Sequence, residues 1–328
     1  MNKTLSPRQV AQSIGASESS VKRWCDRGLV PFLRTGGGHR RIPLAGVLEF
    51  VRREKMSIVA PQAIGLPEQV GKISGSIEQA GATLKDLLVN GDEDASRILV
   101  WDLHIAGHPI ATICDEVIVN AFEQIGDGWC DGSVEIYQER RSCEIARIVL
   151  SELRQATYSP AESSPLAMGA TASNDPYGLP TMMVELVLRQ NGWKASAIGT
   201  QIPFESLCQA IVKERPRLFW LSVSQIKDES LFVDGFNELQ KVAGEQTAIV
   251  VGGRALTDDI RHRLNYTVYC DKLEHLARFA GTIYQPPPPE ATKPPKPRNP
   301  ANVADIPTDA PASDQGKPRE QGDQEVVT

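Results

Sequence analysis

The sequence predicts a multidomain fold: a winged helix-turn-helix head, a four-helix bundle, an α/β doubly wound, Rossmann-like parallel sheet, and a disordered C-terminal tail. Three observations predict it. Residues 1–55 hold eleven Lys and Arg against four Asp and Glu, a net of +7 on a chain whose total is −6. Residues 76–158 carry apolar positions at helical spacing, and from Pro165 onward short apolar runs alternate with helical patterns. The final 44 residues, from Gln285, contain 11 of the 23 prolines.

The head, residues 1–55, builds from its own signals. Ser6 is an N-cap and Pro7 suits the first helical position. Val10, Ala11 and Ile14 form one apolar stripe, and Gly15 ends that helix. Ser17 caps a second helix, in which Val21 and Trp24 point into a small core while Ser19, Ser20, Lys22 and Arg23 lie outside. A short helix, a turn and a polar, basic second helix suit docking in a major groove. The run Arg34-Thr35-Gly36-Gly37-Gly38-His39-Arg40-Arg41-Ile42 reads as a hairpin wing with a flexible glycine tip. Cations there give affinity for phosphates without sequence information. The DNA-binding candidates are therefore Ser19, Ser20, Lys22, Arg23, Arg34, Thr35, His39, Arg40 and Arg41. Replacing Arg40 and Arg41 together by Ala is expected to weaken binding at every sequence and flatten its salt dependence.

Residues 56–75 read as a linker broken by Pro61, Gly65, Pro67 and Gly71. Residues 76–158 read as an antiparallel bundle of four helices with short connections. In residues 159–284 the runs LAMGATAS, KASAIGTQIP, RLFWLSVSQ, TAIVVGGRAL and YTVYC read as strands, with helices between them and after the last. Ligands of such sheets sit at the carboxyl ends of the strands, here the loops 172–178, 199–203, 223–228 and 252–256. Residues 285–328, with the run Pro286-Pro287-Pro288-Pro289, cannot bury a core and read as a Pro-rich, disordered, solvated tail. No apolar run reaches the length of a bilayer span, so no membrane contact is expected. Six scattered cysteines without a Cys-x-x-Cys pair suit a reducing cytoplasm and offer no zinc site. No clustered acid/base pair or nucleophile motif appears, and the chain is read as a non-enzyme.

The head resembles the winged helix-turn-helix of the MerR family, and the run from Arg34 to Ile42 resembles its wing. That resemblance implies binding as a dimer to a pseudo-palindromic, double-stranded DNA operator and an effector domain downstream. The long dimerising helix of many members is not evident after Glu54, so self-association, as a homodimer or higher, must come from elsewhere. A bundle followed by a doubly wound domain resembles the cobalamin-binding module. The matching turns are Gly169-Ala170-Thr171, Gly192-Trp193, the run from Ile198 to Glu205, and Gly252-Gly253-Arg254-Ala255-Leu256. Together the parts resemble light- or cobalamin-responsive MerR regulators that repress carotenoid genes.

The resemblance implies cobalamin (adenosylcobalamin or methylcobalamin) as cofactor and Trp129, Cys130, Glu139, Ser173, Asp175, Gly178, Ser222, Gly252 and Gly253 as the cofactor-binding set. The departures concern the chemistry. The family's first loop carries Asp-x-His-x-x-Gly, whose imidazole binds cobalt. Here Ser173 stands at the Asp, Asp175 at the His and Gly178 at the Gly, so no metal ligand is assigned. A carboxylate is a hard ligand and a poor substitute for imidazole on Co(III). In the photoreceptor members a Trp is followed ten residues later by Glu-His; here Trp129 is followed by Glu139-Arg140, and Cys130 stands at a further His. Two readings stay open: cobalamin held without a histidine ligand, or a cofactor-free scaffold that works through oligomerisation or another regulator protein. A corrinoid carrier of the methyltransferase type is a third. In the plainer reading Asp175 caps the helix after Gly178, and Trp129 and Tyr137 are core aromatics of the bundle.

Overall fold

The computed structural model describes residues 3–71 and 76–286. The expected tail from residue 287 and linker residues 72–75 lie outside the described residues.

In the head, α1 (Pro7–Ser13) opens with a full capping box: the Ser6 hydroxyl accepts from Gln9 N and the Gln9 side chain accepts from Ser6 N. Gly15 takes a φ of +67°, which turns the chain toward α2 (Glu18–Asp26), itself capped by Ser17. Strands β1 (Thr4–Leu5), β2 (Leu33–Arg34) and β3 (Arg40–Pro43) form an antiparallel sheet ordered β1-β3-β2, and α3 (Leu44–Arg53) closes the head. Val21 is fully buried, and Trp24 packs on Phe50 with ring centroids 5.0 Å apart. Residues 56–71, read above as linker, are packed onto the head. Pro61–Ile64 form a 3-10 turn, Ile64, Leu66 and Val70 are buried, and Val59 N and Ala60 N both donate to Ser13 O.

The bundle comprises α4 (Ile77–Asn90), α5 (Glu93–Ala106), a third helix in three consecutive segments, and α8 (Ile136–Gln155). The third helix runs as α6 (Ile110–Ile113), a π-helical stretch Cys114–Val119, and α7 (Asn120–Asp131). The extra residue per turn of a π stretch re-aims the side chains around it. Asp115 in that stretch accepts from Leu273 N (2.9 Å) and Glu274 N (3.0 Å), so the bundle caps a helix of the next domain.

That domain is a five-stranded, fully parallel sheet in the order β5-β4-β6-β7-β8. Its elements are β4 (Leu166–Ala170), α9 (Gly178–Gln190), β5 (Lys194–Ala197), α10 (Phe204–Glu214), β6 (Leu218–Ser222), α11 (Glu229–Ala243), β7 (Ala248–Gly252), α12 (Asp258–His262), β8 (Val268–Tyr269) and α13 (Leu273–Ile283). Alternate strand residues face opposite layers. Ala167, Leu218, Trp220 and Val250 join the core of α9, α13 and the bundle, while Met168, Phe219, Leu221 and Ile249 join that of α10, α11 and α12. Between α9 and the sheet, the Trp220 indole lies over Gly169, where a Cβ would sit 2.1 Å from the ring, and its Nε1 donates to Thr181 Oγ1 at 2.8 Å. No described helix is long and apolar enough to cross a membrane.

Candidate nucleic-acid interface and carboxyl-edge site

On the head, Lys22, Arg23, Arg34, Thr35, His39 and Arg41 are exposed. Lys22 pairs with Glu18 one turn earlier at 2.7 Å. The hydroxyls of Ser19 and Ser20 each lie 2.9 Å from the Ser17 hydroxyl, so the start of α2 is a knot of three serines. At the wing tip Thr35 N donates to His39 O, Gly38 N donates to Thr35 O, and the Thr35 hydroxyl accepts from His39 N. Arg40 differs from its neighbours. Its side chain is 20 % exposed and its Nη2 donates to Asp26 Oδ1 at 2.6 Å. Asp26 and Phe32, whose ring lies under both Arg34 and Arg40, were not marked by the sequence reading, because neither carries a local signal.

The second candidate set lies in two places. Ser173, Asp175, Gly178, Ser222, Gly252 and Gly253 sit at the carboxyl edge of the sheet. Trp129, Cys130 and Glu139 sit on α7 and α8. Among the described residues no hydrogen bond, ion pair or ring contact joins the second group to the first. Trp129 and Tyr137 are 55 % and 64 % exposed, so neither is the core aromatic that the plainer reading expected. Both sit beside the α7–α8 turn, where Ile136 is also exposed and Val134 is the buried residue. Cys130 is exposed. Glu139 pairs with Arg140 at 3.3 Å and accepts from Cys143 Sγ at 3.5 Å. Burial first, and then the Glu139 charge, push the Cys143 thiol up to about 12.

At the carboxyl edge Asp175 is 1 % exposed, and both of its carboxylate oxygens are engaged. Oδ1 accepts from Tyr177 N at 3.2 Å; Oδ2 accepts from Ser224 N at 2.6 Å and Gln225 N at 3.3 Å. Asp175 is therefore not a simple cap of α9, whose N-cap is Tyr177. It joins the loop after β4 to the loop after β6. Desolvation of the carboxylate raises its pKa, and the three N–H donors work against that rise. Further stitches run along the edge. The Thr171 hydroxyl donates to Asp175 O at 2.6 Å and accepts from Gln201 N at 3.0 Å. Val223 N donates to Gly252 O at 2.8 Å. A Cβ on Gly253 would sit 2.2 Å from Val223 O, and one on Gly252 would sit 2.4 Å from Cys270 O. Those glycines let backbone approach backbone, a close approach that any side chain would block. Ser222 is buried at the end of β6, Ser173 is exposed, and Gly178 opens α9 with Thr200 Cγ2 3.4 Å from where its Cβ would be.

The donor set does not fit a cobalt ligated by the protein. The chain has five histidines, at 39, 104, 108, 262 and 275, and none lies in the carboxyl-edge loops. The carboxylate standing where the imidazole is expected has its lone pairs directed at backbone N–H groups. Among the described residues no cluster of three His, Cys, Asp or Glu could hold a metal ion.

A helix-turn-helix head, a helical bundle and a parallel α/β sheet define a DNA-binding regulator with a C-terminal module of the corrinoid-binding fold. Residues 4–55 match the family described as a helix-turn-helix domain, and residues 81–154 match the family described as a B12 binding domain. The HTH-type transcriptional repressor CarA of Myxococcus xanthus is 21 % identical over 268 residues, covering 79 % of this chain and 89 % of CarA. The HTH-type transcriptional repressor CarH of the same organism is 25 % identical over 185 residues, covering 56 % of this chain and 61 % of CarH. Among solved structures, the monomethylamine corrinoid protein of Methanosarcina barkeri superposes with a TM-score of 0.53 at 16 % identity. It covers 64 % of this chain and 100 % of that one, a likeness of fold.

Proposed function

We propose that this chain is a MerR-type cytoplasmic transcriptional regulator that binds a duplex operator through α2 and the wing, as a homodimer or higher oligomer. Its C-terminal module reads a corrinoid without placing a protein imidazole on cobalt. The observation that carries the DNA reading is the exposure of Lys22, Arg23, Arg34, His39 and Arg41 on a head of net +7. The match of residues 81–154 to a B12 binding domain supports the corrinoid reading. A cobalamin brings its own benzimidazole base, so an absent histidine does not preclude uptake. The curated relatives are repressors, which supports a regulatory role and not a catalytic one.

One observation favours a second reading. The edge loops are stitched by Asp175 in the manner of a ligand's anionic group, which suits a domain that holds its shape without a cofactor. The two are separated by mixing the purified chain with adenosylcobalamin or methylcobalamin in the dark, desalting, and recording the visible spectrum, with a gel shift on the DNA upstream of its own gene. A retained corrinoid band whose axial base is benzimidazole is the expected result. A colourless protein that still shifts DNA establishes the cofactor-free scaffold. Absence of any shift removes the DNA-binding reading.

A further inference from the structure

We infer that Arg40 is a positioning residue that locks the wing against α2, and that the phosphate contact of strand β3 falls to Arg41; this rests on the DNA-binding reading above. Arg34 and Arg40 are directly paired in the β2–β3 register. Two like charges placed opposite each other across a ladder push the strands apart. Two features offset that repulsion. The Phe32 ring lies 5.5 Å from each guanidinium, where its face attracts both cations. The Asp26 carboxylate bonds Arg40 at 2.6 Å, and Arg40 Nε is enclosed by the protein with no partner. Asp26 is the last residue of α2, so this bond ties the wing to the end of the helix that enters the groove. Arg41, next in the strand, is exposed. A guanidinium that already faces a carboxylate carries little condensed anion of its own and is poorly placed to displace cations from DNA. A free one on a phosphate releases counterions and steepens the salt dependence of binding.

The experiment is fluorescence anisotropy of a labelled, mixed-sequence duplex titrated with full-length protein over a series of salt concentrations. Wild type, Arg40→Ala, Asp26→Ala, Arg41→Ala and the double variant Asp26→Ala/Arg40→Ala are compared. Arg41→Ala is expected to lower the slope of log K against log salt by about one. Arg40→Ala and Asp26→Ala are each expected to weaken binding by roughly three- to tenfold with the slope unchanged, since the loss is of register and not of a phosphate contact. The double variant is expected to bind no worse than either single one, because both remove the same tie. Asp26 is an exposed residue, and matched circular dichroism of Asp26→Ala keeps a folding defect out of the comparison. A slope lowered by Arg40→Ala as much as by Arg41→Ala, together with tighter binding by Asp26→Ala, overturns the proposal. So does unchanged binding by Arg40→Ala. If wild type itself leaves the duplex free at low salt, the DNA-binding reading fails first.

Discussion

Asp175 illustrates how one residue type alters a site. At a position where imidazole was expected, a carboxylate offers four lone-pair directions and no donor, and the backbone supplies three N–H groups to it. Charge-assisted bonds of this kind are stronger than neutral ones, and a buried donor left without a partner is costly. Asp175→Ala should therefore lower the unfolding free energy by about 3 kcal/mol, read from the urea midpoint, because the Ser224 and Gln225 amides lose their acceptor. Asp175→Asn keeps an acceptor oxygen and should lose about half as much. Equal and negligible effects of both would mean that water replaces the carboxylate and that the edge is open. The sequence drew notice to this residue but not to its bonds, because Ser224 and Gln225 lie some fifty positions away, beyond any local pattern. The same limit hid the Asp26–Arg40 bond. Trp129 and Tyr137 failed in the opposite direction: large aromatics of the bundle read as core, whereas Trp129 near the end of α7 and Tyr137 at the start of α8 flank the turn between those helices and lie outside.

At the scale of elements, period and turn chemistry made the fold legible. Capping by Ser6 and Ser17, the left-handed Gly15, and the alternation of strand and helix after Pro165 all reflect local preferences that agree with the tertiary structure. Two things were not legible. The π-helical stretch Cys114–Val119 carries no sequence signature, yet it brings Asp115 to the start of α13. The packing of residues 61–70 into the head was masked by prolines and glycines that read as linker. The α9–sheet layer shows how finely an element is fitted. Trp220 fills the space that Gly169 leaves, and Thr181 takes its N–H. Gly169→Ala should cost about 1–3 kcal/mol through overpacking. Trp220→Ala should cost about 3–5 kcal/mol through cavity formation. Thermal melts check both, and the double variant should be no less stable than Trp220→Ala alone, since the added methyl then enters the space that the indole vacated. A further loss in the double variant would place the strain elsewhere.

For the whole molecule, the question is how the module and the head are joined. Helix α3 meets the bundle through Arg52, which donates to His104 O at 3.2 Å, and through Glu49, which accepts from Tyr158 Oη at 2.5 Å. Tyr158 follows α8, the helix that carries Glu139 in its first turn, so one rod connects the candidate cofactor residue to the head. His104 lies under this junction, 4 % exposed, with its ring edge on Trp101 at 5.9 Å and Nδ1 without a partner. Burial, and then the Arg52 charge, hold its pKa down at about 4 against an ordinary value of 6.5. The folded chain thus resists a proton that the unfolded chain accepts. The stability that follows is complete above pH 6.5 and is lost as the pH falls toward 4, at a limiting slope of about 1.4 kcal/mol per pH unit. Between pH 7 and pH 5 wild type should lose about 2 kcal/mol more than His104→Leu, measured by urea unfolding at each pH. Since His104 packs beneath α3, the protection of the Leu44–Arg53 amides, with exchange corrected for its intrinsic pH dependence, should fall over the same window in wild type and not in the variant. If both proteins lose the same amount, the imidazole is already reached by water and the head is not sealed onto the bundle at α5. A wild-type excess with no change in the protection of α3 would assign the proton to the bundle alone and uncouple it from the DNA-binding head.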